Sequence, residues 1–72
     1  MNRHTRDLVR HLFTLATEIL EDTHLVATKG QGAKLAPKDY LALSQRLRRS
    51  ADDLGATAGA IAAALRSGHP RP

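Results

Sequence analysis

His4, Asp7 and His11 follow one another at spacings of three and four, and Glu18 and Asp22 continue the same row. On a helix that spacing puts all five on one side. Imidazole nitrogens and carboxylate oxygens so arranged can hold zinc or another divalent ion. Glu21 and His24 repeat the Glu-x-x-His spacing used in carboxylate di-metal bundles. Such a centre also needs glutamates on the facing helix, and the second half of the chain offers only Asp39, Asp52 and Asp53. His4, Asp7 and His11 therefore stand as the candidate metal ligands against a plainer reading, surface histidines on a small helix, and no cofactor is expected. Phosphotransfer through a histidine fares no better. Thr5, Leu12 and Leu25 follow His4, His11 and His24, where an acidic residue or arginine is usual. No serine or threonine has an activating base beside it. No enzyme is expected.

The arginines make a second constellation. Arg3, Arg6 and Arg10 fall on one side of the first half of the chain, with Asp7 the only acid among them, and Arg66 and Arg71 lie near the other terminus. If the chain folds back on itself these meet at one electropositive end. Such an end suits an acidic protein or the phosphates of a nucleic acid, the latter with affinity that falls steeply with salt. Read plainly, it is a solvated face. Gly30-Gln31-Gly32 has the composition of a phosphate-cradling loop, but no strand precedes it and no nucleotide fingerprint follows. It reads as a turn between helices.

Composition narrows the setting. Seventy-two residues allow one domain, which at this size buries only about 60% of its unfolded surface. There is no cysteine to staple it. Oligomerisation or very regular helix packing is then the usual source of stability. The lack of cysteine, the charged start Met1-Asn2-Arg3-His4 and the shortness of the apolar run from Leu54 to Leu65 together predict a cytoplasmic protein without a membrane partner. A net charge of +4 and a pI near 10.4 admit anionic partners without choosing one. Only Phe13 and Tyr40 are aromatic, which disfavours base-stacking readers of single strands.

Two helices must position these groups. Leu8, Leu12, Leu15, Ile19 and Val26 recur at helical spacing, flanked by Val9, Phe13, Ala16, Leu20 and Ala27, and predict a helix over about 4–28 capped by Asn2 or Thr5. A turn over 29–37 follows, with Gly30 as a left-handed cap and Pro37 opening the next helix. Tyr40, Leu43, Leu47, Ala51, Leu54, Ala58, Ile61 and Leu65 predict a second helix over about 37–66, with 67–72 a frayed tail. The run 43-47-51-54-58-62-65 is closer to an eleven-residue period than to heptads. A break near Gly55, giving three helices, is the rival parse. In an antiparallel hairpin Glu18, Glu21 and Asp22 would lie beside Arg46, Arg48 and Arg49, and those pairs would choose the register. Asp22 and Thr23 interrupt the first stripe. The preferred explanation is that the stripe ends there and Asp22 reaches Arg46.

The second helix also carries a ladder of small residues, Ala51, Gly55, Gly59 and Ala63. Each helical glycine costs about 1 kcal/mol relative to alanine. Another backbone approaching closely would offset that cost. The expected fold is all-α: an antiparallel two-helix hairpin forming a single domain that pairs as a homodimeric four-helix bundle. Self-association is expected through Leu43, Leu47, Ala51, Leu54, Gly55, Gly59, Ile61 and Ala63. In length, hairpin form and expected dimerisation the chain resembles the Rop family, whose dimeric hairpins grip an RNA pair on one bundle face. No motif matches residue by residue, so the resemblance transfers no site. The function expected is a small non-catalytic binding or regulatory module that docks a partner protein of acidic character through Arg3, Arg6, Arg10 and Arg66. Rop-like binding of RNA or DNA by the same arginines is the alternative, and a metal-binding bundle the third.

Overall fold

A computed structural model describes residues 1–32 and 34–67. Two helices, α1 (Arg3–Gly32) and α2 (Pro37–Ser67), pack side by side as a hairpin. Neither described helix is long and apolar enough to cross a membrane. α1 starts where the sequence supplies a cap. Asn2 Oδ1 accepts the N–H of Thr5 at 2.7 Å, and its carbonyl accepts that of Arg6 at 3.0 Å. α2 starts at Pro37, a residue with fixed φ and no N–H to leave unpaired. The Ala36 carbonyl receives the N–H groups of Asp39 and Tyr40 at 2.9 and 3.2 Å. The Tyr40 hydroxyl in turn accepts the N–H of Leu35 at 3.3 Å, which ties the connection to α2.

One seam joins the helices. Thr5, Val9, Leu12, Ala16, Ile19, Thr23, Val26 and Gly30 face it from α1. Leu43, Ser50, Leu54, Thr57, Ile61 and Ala64 face it from α2, with Leu47 at its edge. Both sets alternate steps of four and three, the 3.5-residue repeat of a coiled-coil seam. The eleven-residue period expected of α2 is thus corrected. Ser50 and Thr57 take the places assigned to Ala51 and Ala58, which are exposed. Buried Thr57 belongs there because its hydroxyl donates to the Asp53 carbonyl at 2.9 Å, so no polar group goes unpaired. Thr23 does the same toward Ile19, at 2.6 Å. The α1 stripe therefore continues through Thr23 instead of ending, and Asp22 lies outside it, exposed.

Three further expectations are overturned. Gly30 is no left-handed cap: no described glycine has positive φ. It continues α1 for another half turn, and a Cβ built there would meet Leu43 Cδ1 at an ordinary contact distance of 3.9 Å. Gly55 does not break α2, which is continuous. Nor do ion pairs across the hairpin choose the register. Among the described residues the ion pair found is Arg48–Asp52 at 3.7 Å, one turn apart on α2 and exposed. Such a pair is worth at most about 0.5 kcal/mol. The register rests on the apolar seam.

The seam is thin. Among the described residues Val26 is the one large side chain fully enclosed, at 1% exposure. Leu8, Leu15, Phe13, Leu20 and Leu25 of α1 stand at 41–60%, although four of the five were expected in the apolar stripe or its flank. Val26→Ala is expected to lower the unfolding free energy by about 2 kcal/mol, and Leu25→Ala, one residue earlier but facing outward, by under about 0.5 kcal/mol. Urea titration followed by circular dichroism checks both values.

Candidate functional site

The antiparallel hairpin brings the end of α2 back beside the start of α1, so Arg66 joins Arg3, Arg6 and Arg10 at one end. All four are exposed, as are His4, Asp7 and His11. None of the four arginines takes part in an ion pair among the described residues. Arg71 lies outside the described residues, as does most of the expected tail. The first turn of α1 contains no acidic residue. Arg3 and Arg6 therefore sit at the positive end of a helix dipole, an arrangement that disfavours each by about 0.3–1 kcal/mol when exposed. Arg66 is better placed, in the last turn of α2. An anion docked at this end would gain from three cations and from the unpaired N–H groups of the α1 start together.

The metal candidates do not converge. Among the described residues no group of three or more histidine, cysteine, aspartate or glutamate side chains is placed to hold an ion. His4, Asp7 and His11 share a side of α1 without closing a ligand cage. The Gly30-Gln31-Gly32 stretch lies inside the last turn of α1, so it is not a loop around a phosphate.

The expected self-association residues divide into two groups. Leu43, Leu54 and Ile61 are half-buried against α1 within the hairpin, with Leu47 beside them. Ala51, Gly55, Gly59 and Ala63 are exposed. A Cβ added at Gly55 or Gly59 would meet nothing within 4 Å. Nothing in the hairpin itself, then, requires glycine at either position.

Two shallow depressions were not read from the sequence. One, of about 500 Å³, lies at the turn end, floored by Leu35, Ala42 and Leu43 and rimmed by Lys29, Asp39 and Arg46. Gly32, at the end of α1, is among its lining residues. The expected end of α1 at residue 28 hid that extension. The other, of about 420 Å³, lies on the outer side of α1 between Thr17, Leu20, Glu21, His24 and Leu25. Its signal was present in the exposed side of the α1 stripe, but which leucines face outward depends on the seam register.

Compared with protein-family models, curated proteins and solved structures, the chain matches none.

Because Arg6 is exposed and without an ionic partner here, Arg6→Ala is expected to change stability by less than about 0.5 kcal/mol. Because no cage of ligands forms, neither chelator nor added zinc is expected to move the melting temperature. Differential scanning calorimetry with and without each reads both outcomes.

Proposed function

We propose that this chain is a non-catalytic helix–helix association module. It pairs with itself to complete a four-helix bundle and docks an acidic partner protein through its arginine-rich end. The observation carrying this reading is surface. The chain exposes 5856 Å², against about 4,400 Å² for a compact monomer of 7.8 kDa. Its radius of gyration is 16.7 Å, against about 11 Å for a compact domain of this length. Leu8, Phe13 and Leu20 of α1 and Leu41 and Leu65 of α2 are among the large apolar side chains left exposed. Burying about 800 Å² per partner is what a standard interface does. An isolated two-helix unit has no second layer with which to do it.

The arginine end supplies the docking half of the reading. Its cations are in no ion pair among the described residues, and Arg3 and Arg6 oppose the dipole of α1, so an acidic surface relieves a local conflict as well as adding contacts. Nucleic acid is the alternative anion, and salt separates the two. Engaging three or four phosphates would give log K against log salt a slope near −3, whereas indifference to nucleic acid at low salt removes that reading.

Sedimentation equilibrium over about a hundredfold range of concentration tests self-pairing. The expected outcome is a species of twice the 7.8 kDa chain mass, with a melting temperature that rises with concentration. A single subunit that melts cooperatively at the same temperature throughout the range contradicts the proposal.

A further inference from the structure

The two broad sides of the hairpin differ in charge. The residues that directly follow Thr5, Leu12, Ile19 and Val26 on α1, and Leu43, Ser50, Thr57 and Ala64 on α2, flank the seam on one side, because the helices are antiparallel. They are Arg6, Phe13, Leu20 and Ala27 on α1, and Ser44, Ala51, Ala58 and Leu65 on α2. Arg6 is the one charge among them, at the open end. Phe13, Leu20 and Leu65 stand 58, 52 and 38% exposed. Arg3, Arg10 and Arg48 line the outer edges of the same side.

None of the seven acidic residues lies on this side. Asp22, Asp39 and Asp53 flank the seam on the opposite side, with Glu18 at its edge. Asp7, Glu21 and Asp52 lie on the backs of the helices. The ion pair found among the described residues joins Arg48 to Asp52, with side chains 82 and 71% exposed. A pair so exposed is weak and yields readily to a better-placed carboxylate. The side is therefore an apolar strip edged by cations. Taking Gly30 as level with Leu43 sets Arg48 level with Leu25, so Arg10 and Arg48 stand about 22 Å apart along the strip.

A second copy does not fit this side. Any two-fold pairing of it with itself gathers Arg6, Arg10 and Arg48 of both copies into one interface with no acid to meet them. Duplex nucleic acid matches the arginines but offers nothing to the strip between them. A flat lipid surface reaches Phe13 and Leu20 but not the short side chains of Ala51 and Ala58. A helix with an apolar stripe between acidic edges matches both the strip and its rim. It lies along the shallow groove between two packed helices, its stripe covering Phe13, Leu20 and Leu65 and its carboxylates meeting the arginines in charge-assisted pairs.

We infer that the acid-free side receives an amphipathic helix of about four turns from a partner protein, apolar along one stripe and acidic along its edges. The inference rests on the acidic-partner reading above and gives that partner its form. The arginine-rich end becomes one end of a longer docking surface. Self-pairing is left the opposite side, whose flanks carry both signs in Asp22, Lys29, Asp39, Arg46 and Asp53.

The probe is a synthetic peptide of about sixteen residues, long enough to span the strip, with leucines at helical spacing between glutamates. A second peptide of the same composition has its leucines scattered round the helix. Calorimetric titration at low salt is expected to show the striped peptide binding at least about tenfold tighter than the scattered one. Phe13→Ala with Leu20→Ala, and separately Arg10→Ser with Arg48→Ser, are each expected to weaken it at least about tenfold. Lys29→Ser with Arg46→Ser, on the opposite side, is expected to leave it within about twofold. All six positions are exposed, so each variant is expected to keep its helical circular dichroism. Equal binding of the two peptides, or striped binding that ignores both weakening pairs, overturns the groove and leaves an acidic partner standing. No binding of either peptide overturns both readings. Tighter binding to phosphatidylserine vesicles, lost in the same two pairs of variants, makes the occupant a lipid surface and overturns the inference.

Discussion

One strip of contact holds this molecule together. Two helices can offer each other one stripe apiece, and here the stripes are strict four-three repeats with threonine, serine, alanine and glycine among the leucines and valines. Small and hydroxylated residues let the helices approach, but they bury little apolar area per layer. The outcome is a seam whose one fully enclosed large side chain is Val26. The length of the body, its exposed leucines and its surplus surface follow from that seam. Among the described residues no ion pair crosses the hairpin, and without cysteine no disulfide can.

The same constraint bears on what the protein can do. Among the described residues the two depressions described above are open and lie at the turn and on the outer side of α1. Residues able to do chemistry are present, but the structure spreads them along exposed helix faces, where imidazoles and carboxylates face water one at a time. What it concentrates is unpaired positive charge at the open end and apolar surface along one broad side. Both features suit the association proposed above.

Much of the fold was legible. The apolar period and the glycine and proline cluster predict two helices with a turn between them, and Asn2 caps the first as its type suggests. The failures share a physical origin. Reading Ala51 and Ala58 as buried and Ser50 and Thr57 as exposed ranks residues by hydropathy, yet a helical threonine satisfies its hydroxyl on its own backbone and so enters a seam freely. That substitution turned the apparent heptad into an eleven-residue period. Gly30 reads as a stop because glycine commonly ends helices, whereas here α1 runs through it to Gly32 without a positive φ. The opposed charges of Glu21 and Arg49 suggest pairs that do not form, because both side chains project away from the seam. Of the candidate site, the arginine end was legible from residue type and antiparallel order alone. The turn-end depression was not, since it depends on how far α1 runs past Gly30.

If the seam alone is too thin to sustain the hairpin, protection of its backbone must depend on how much protein is present. Hydrogen–deuterium exchange of the amides around Ile19, Val26 and Leu54, measured at two concentrations about a hundredfold apart, reads this directly. The account predicts slower exchange at the higher concentration, because full opening then requires the assembly to come apart first. Equal and strong protection at both concentrations would show a self-sufficient single hairpin and contradict it.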